Sequence, residues 1–252
     1  MSTYLVQFAF VVATLYLTAG TAQAQWGTLR GRFVYDGKAP TPMKFDTAKE
    51  PGCAEHEVVD EQLVVGGDGG LANVVIYVSS KDVKVHPDYA TTANDTVRLD
   101  QKNCRFDPHI LPIRRSQTLE LHNSDPFSHN LVFSPILDLA INPLLRSGDK
   151  FDYHFRRGQK LPVPITDNLH PWMKGYVVVR DNPYVGVSKE DGTFEIVKLP
   201  AGELEFTLWH EESGWLQVGK ADRKGKWVIK IGDGDNDLGK IVVAPNALEI
   251  KK

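Results

Sequence analysis

Apolar and polar positions alternate in short runs along most of the chain, and turn residues separate the runs. "WGTLRGRFVYDG" (26–37) alternates and stops at Asp-Gly, which predicts a strand and a turn. The segment 38–60 carries three prolines and many charges and reads as loop. "EQLVVGGDGGLANVVIYVSS" (61–80) predicts two strands around a Gly-rich turn. Between 97 and 133 the alternation is stronger, as in "TLELHN" and "HNLVF", with polar turns between. "KFDYHF", "VPIT" and "GYVVVRD" add three strands, and residues 182–252 add "YVGVS", "TFEIVKL", "LEFTLWHE", "KWVIKI" and "LGKIVVA". Helical periodicity is confined to one expected turn at "PLLRSG" within 134–150, and no internal repeat is present. The expectation is an all-β fold of two β-sandwich units. The first spans residues 25–182 and includes the N-terminal strands; a smaller one spans 183–252.

Composition agrees with this. The 252 residues include 21 Gly and 15 Pro, the turn residues an all-β chain needs. A hydrophobic content of 42% and a charged content of 24% are ordinary for a folded domain. The net charge of −3 gives no electrostatic footing for a nucleic-acid partner.

The beginning of the chain is a separate matter. "YLVQFAFVVATLYLTAG" is one apolar stretch, no charged side chain precedes Arg30, and Ala22 and Ala24 suit a small-residue cleavage site. Residues 1–24 are expected to be a signal peptide, with the mature chain starting near Gln25 and acting in the periplasm or at the cell surface. The apolar stretch includes Gln7 and is short for a bilayer span of about 20 residues. No stable membrane span is expected after cleavage. Export bears on Cys53 and Cys104, because two cysteines in an oxidising compartment most often pair. Such a bridge would stabilise by roughly 4 kcal/mol on the chain-entropy model. The alternative is a free thiolate that binds metal.

Eight histidines stand at positions 56, 86, 109, 122, 129, 154, 170 and 210, and two have distinctive surroundings. His129 lies in "NSDPFSHNLVF", at the start of a strand. His170 lies in "ITDNLHPWMKGYVVV", with Asp167 three residues before it and Met173 three residues after it. Donors at i, i+3 and i+6 of a Pro-braced loop can converge on one ion together with a histidine from a neighbouring strand end. His109 in "DPHI" and His122 in "LHNSD" fall near the same strands, either as an extra ligand or supporting partner or as solvent-facing residues.

"FDPHILPIRRSQTLELHNSDPFSHNLVF" followed by "HPWMKGYVVV" resembles the cupredoxins, whose pattern is a His-Asn at a strand end and a later loop of the form Cys-x-x-His-Pro-x-Met-x-Gly. The order of "GGLANVVIYV", "NCRFDPHI", "NSDPFSHN", "HPWMKGYVVVRDNPY" and "EDGTFEIVKLPAGELEFTLWHE" is similar to exported bacterial proteins that join a cupredoxin-like part to a carboxypeptidase-regulatory-like sandwich. The resemblance implies a Greek-key sandwich followed by a transthyretin-like one. It also implies copper held by His129, His170 and Met173, with Asn130 beside the first ligand. Asp167 falls where the family has its thiolate. A carboxylate is a harder donor that favours Cu(II), so blue-copper electron transfer is put in question.

Three readings follow: a non-blue copper site at His129, Asp167 and His170, with or without Met173; a cupredoxin scaffold without metal, acting as a structural or glycan-binding module; or a thiolate restored by Cys53 or Cys104. The first implies metal binding, delivery or slow electron transfer, with a periplasmic redox or copper-handling protein as partner. The second implies a glycan or cell-surface partner. No nucleophile motif, zinc-protease helix or dinucleotide fingerprint occurs, and an enzyme is not expected. "GDGDNDLG" (232–239) lacks the glycine and glutamate of a calcium loop at Leu238 and Ala244 and is expected to be a polar turn. His210 and Glu211 should face opposite sides of a strand, while Trp209 and Trp215 are either packing residues or a sugar-binding surface.

Overall fold

The computed structural model describes residues 25–50 and 52–249; the expected signal peptide, residues 1–24, lies outside them. The first half carries strands Trp26–Tyr35 (β1), Val75–Val78 (β2), Thr96–Lys102 (β3), Arg105–Asp107 (β4), Ile110–Arg114 (β5) and Thr118–Asn123 (β6). The middle carries His129–Asn130 (β7), Val132–Phe133 (β8), Leu144–Leu145 (β9), Lys150–His154 (β10), Val163–Thr166 (β11) and Lys174–Arg180 (β12). The last part carries Val185–Val187 (β13), Thr193–Pro200 (β14), Gly202–His210 (β15), Gly214–Trp215 (β16), Lys226–Ile231 (β17) and Gly234–Val243 (β18). Among the described residues, helix is limited to single turns at Pro87–Ala90 and Pro245–Leu248. The helical turn expected at "PLLRSG" is instead β9, because Leu144 and Leu145 pair with Asn130 and His129.

The strands form two sandwiches packed against each other. Sheet β14-β1-β18 faces sheet β13-β2-β15, which also carries β16 and β17. Their shared core holds Leu29, Phe33, Ile76, Val78, Phe206 and Leu208. Sheet β5-β12-β11-β8 faces sheet β10-β6-β3-β4 around Leu99, Leu121, Phe133, Ile165, Val177 and Val179. A third cluster of Val75, Tyr77, Ile110, Tyr176, Val178 and Trp209 joins the sandwiches. β2 and the core of β12 are therefore buried on both faces: Ile76 and Val78 point into one core while Val75 and Tyr77 point into the next. That is why "VIYV" and "GYVVV" read as unbroken apolar runs, whereas β1, wet on one side, alternates Leu29 and Phe33 with Arg30 and Arg32.

The pairing corrects the expected division at residue 183. β1 lies between β14 and β18, parallel to the latter, and β2 lies between β13 and β15. The N-terminal strands therefore belong to the sheets of the C-terminal strands, and β3–β12 form the other sandwich between them. Two glycine turns make this closure possible. A Cβ on Gly70 would collide with the Asp191 backbone, and Gly192, at φ +80°, would collide with the carbonyl of Phe33.

Cys53 and Cys104 form a disulfide that ties the 38–60 loop to the turn between β3 and β4. Phe45, Phe127 and Trp172 pack around it. Among the described residues no helix is long and apolar enough to cross a membrane.

His210, at the end of β15, is fully buried on the face it shares with Leu208 and Phe206. Burial pushes its pKa from 6.5 down to about 4. In the unfolded chain His210 gains its proton below about pH 6.5, while the folded chain resists it until about pH 4. Stability should therefore fall as pH drops through this window, with His210 accounting for on the order of 3 kcal/mol. Urea unfolding at pH 7 and pH 4.5 measures it, and His210→Leu should flatten the difference. An equally large acid loss in that variant would assign the effect elsewhere.

Candidate metal centre

The loop between β11 and β12 is built by Asp167. Its Oδ1 accepts hydrogen bonds from the backbone N–H of Leu169 (2.7 Å) and His170 (3.1 Å), the short-range capping typical of aspartate in turns. The Met173 amide donates to the His170 carbonyl (2.8 Å), and the Asp167 amide donates to the Met173 carbonyl (3.3 Å), which closes the loop. The Asn168 amide donates to Asn130 Oδ1 (3.4 Å), linking the loop to β7.

With Oδ1 committed to the backbone, Asp167 Oδ2 faces two imidazoles. It lies 2.8 Å from His129 Nδ1 and 3.2 Å from His170 Nδ1, and the two Nδ1 atoms are 3.0 Å apart. Exposure of His129, Asp167 and His170 is 0%, 2% and 5%. Phe127 and Trp172 lie against the rings and keep water from them. Three donor atoms of a kind that bind divalent metals thus face one point in a dry pocket.

Asp125 holds the far side of His129. Its Oδ2 lies 2.8 Å from His129 Nε2 and accepts the Cys104 amide (2.9 Å), while Oδ1 accepts the Asn103 amide (2.7 Å). A carboxylate at Nε2 keeps a proton there, so Nδ1 is the nitrogen that faces Asp167 and His170, protonated in the absence of metal and able to serve as a donor when that proton is displaced. Asn123 braces this turn, since its Oδ1 accepts the Asp125 amide and its Nδ2 donates to the carbonyls of Phe127 and Leu145.

The charges follow from these contacts. Burial acts to lower the pKa of His129, but its hydrogen bonds to Asp125 and Asp167 outweigh burial and raise it. Burial acts to raise Asp167, and its hydrogen bonds to His129, His170 and the backbone outweigh that and lower it. Asp125 is lowered against burial in the same way, by His129 and the amides of Cys104 and Asn103.

His122, His109 and Asn130 are held by other partners. Met173 is 1% exposed, belongs to the core cluster between the β5 and β6 sheets, and is joined to His170 through its backbone amide. His122 pairs with Asp100 (3.0 Å) and Ser124 on the β6 sheet. His109 pairs with Glu211 (2.5 Å) near the joint between the sandwiches. Asn130 serves as a brace, with its Nδ2 on Asn142 and Oδ1 on the loop. The disulfide removes the reading in which Cys53 or Cys104 supplies a thiolate. Trp209 is no sugar platform, because it is 5% exposed and packs on Tyr176 with ring centroids 4.8 Å apart. Sequence patterning does not single out Asp125; its one signal is an acidic residue four positions before His129 in a Pro-containing turn.

No family model matches the chain, and no curated protein matches it. Among solved structures it is similar to a copper-containing nitrite reductase from Thermus scotoductus SA-01, at 23% identity and TM-score 0.31 over 34% of this chain and 22% of that one. It is also similar to a mutant of amicyanin with Cu(I), at 17% identity and TM-score 0.31 over 42% of this chain and 98% of that one. A purple cupredoxin from Nitrosopumilus maritimus is 24% identical, with TM-score 0.29, over 34% of this chain and 100% of that one.

The Asp125–His129 contact is testable without any metal. Asp125→Asn places an amide donor among three donors and removes the anion beside the ring. The pKa of His129, followed by NMR in the metal-free chain, should fall. An unchanged value would show that Asp125 does not set the state of the ring.

Proposed function

We propose that the protein is an exported metal-binding protein rather than an enzyme, and that His129, Asp167 and His170 hold one Cu(II) ion in a non-blue site. The observation that carries this is the convergence of two imidazole nitrogens and a carboxylate oxygen at separations of 2.8 to 3.2 Å. Donors so spaced subtend about 90° to 105° at an ion bound at about 2.0 Å, within the range of tetragonal and tetrahedral sites. A nitrogen and oxygen donor set without thiolate fits Cu(II) better than Cu(I). Bound copper would supply one-electron chemistry, and the carboxylate biases the site toward the oxidised state.

The chain's own residues perform the rest. Asp125 fixes the tautomer of His129, the Leu169 and His170 amides fix Asp167, and Phe127 and Trp172 exclude water. The disulfide supports action in an oxidising compartment, so the proposed location is the periplasm or cell surface. The fitting role is binding or delivery of copper to a periplasmic copper-handling or redox partner.

Titration of the full-length His109→Gln chain with Cu(II), followed by absorption and EPR, should give one equivalent with a type 2 signal and no intense red band. His170→Ala should abolish that signal. Metal must displace the proton from His129, whose pKa the carboxylates hold above its ordinary value of 6.5. Apparent affinity should therefore fall as pH drops below that pKa, by about tenfold per pH unit for each proton displaced. Absence of stoichiometric binding would favour a metal-free scaffold, and an intense red band would require a thiolate.

A further inference from the structure

A second pair of donors faces a cavity at the joint between the sandwiches. The cavity, about 150 Å³, is lined by Glu61, His109, Pro171, Trp172, Lys174 and Glu211. His109 stands just before β5, and Glu211 stands just after β15, so the two sandwiches each contribute a side chain. Their side chains are 8% and 0% exposed. Glu211 Oε1 lies 2.5 Å from His109 Nε2, and Lys174 Nζ lies 3.3 Å from Glu211 Oε2.

Glu211 is thereby to His109 what Asp125 is to His129. It holds the proton on Nε2 and leaves the Nδ1 lone pair free. That Nδ1 is buried and has no hydrogen-bond partner among the described residues. It lies 3.7 Å from Glu61 Oε2, while Glu61 Oε1 is held by Arg105 at 3.1 Å. Each donor is anchored through its other atom. Their free ends, a lone pair and a carboxylate oxygen, face each other across a gap too long for a hydrogen bond. Two electron-rich atoms so placed repel unless a proton or a metal ion lies between them. With bonds of about 2.0 to 2.1 Å, donors 3.7 Å apart subtend roughly 130° at a metal, and a closure of a few tenths of an ångström reaches the tetrahedral angle.

We infer that His109 Nδ1 and Glu61 Oε2 form a second site for a divalent transition-metal ion, with Glu211 as the positioning carboxylate and water from the cavity completing the shell. Trp172 lines this cavity and also lies against His170, with ring centroids 5.5 Å apart, so the two centres share a wall. The inference stands on its own donors and holds whether or not copper occupies the first centre.

Zinc binding by calorimetry tests it in the full-length chain with His129→Gln and His170→Gln, which remove the imidazoles of the first centre and leave Asp167 to hold its loop. One equivalent of Zn²⁺ should bind. Adding Glu61→Gln should abolish binding, and adding Glu211→Gln should weaken it by about 10- to 100-fold without changing the stoichiometry. Glu61→Gln is isosteric at a side chain that is 20% exposed, so circular dichroism should show the fold retained. Anomalous scattering from a zinc-soaked crystal should peak between residues 109 and 61. No zinc equivalent in that background, binding indifferent to Glu61→Gln, or a peak elsewhere would overturn the second site. Copper titration of His109→Gln reports the first centre alone, so the two readings can fail separately.

Discussion

The ring of His129 has a carboxylate at each nitrogen, and the proposed centre depends on that arrangement. An imidazole that meets acceptors on both sides must carry a second proton or bind a metal. Asp125 and Asp167 are buried, and unpaired anions at such depth would cost several kcal/mol each. They are held ionised because each also accepts two backbone amides, Asn103 and Cys104 for one and Leu169 and His170 for the other. The backbone thus builds a socket whose negative charge is fixed in advance. What remains to be supplied at its centre is positive charge, which a proton gives in the metal-free state and which a divalent ion would give more strongly.

The frame keeps that socket in shape. The loop of Asp167 and His170 leads into β12, whose Tyr176 and Val178 pack against the other sandwich while Val177 and Val179 fill the core behind the site. On the opposite side the Cys104 amide binds Asp125, the Cys104 carbonyl accepts the Trp172 indole N–H (3.2 Å), and the Cys53–Cys104 bridge anchors the turn. A shift of one donor would disturb two sheets and a disulfide, so the donors hold their separations without an ion.

Much of this was legible in the sequence, and what was not has a common cause. Alternation located the strands because it reflects one wet and one dry face, as in β1. The loop around His170 was legible because proline, aspartate and histidine at fixed spacing carry local geometry. Partner choice was hidden. β1 pairs with β18 from the far end of the chain, and no periodicity records which strand lies beside which, so a boundary placed by sequence order alone fell in the wrong place. Asp125 was hidden for a similar reason. An aspartate before proline reads as a turn former, and its hold on His129 appears only once the turn at Asn103 and Cys104 is folded against it. The partners of His109 also come from segments far from it in the chain.

The carboxylate at position 167 bears on what the proposed centre would do with copper. Electron transfer needs a site that both oxidation states tolerate with little rearrangement, and a soft thiolate provides it by sharing charge with the metal. Asp167 is a hard donor that stays ionised, since its hydrogen bonds outweigh the burial that would protonate it. It cannot swing away on reduction either, because Oδ1 is pinned by two amides of its own loop. A centre of this kind would hold Cu(II) and resist Cu(I), which works against rapid cycling. It leaves exchange of the intact ion as the available chemistry, with binding and delivery as the role that suits this donor set.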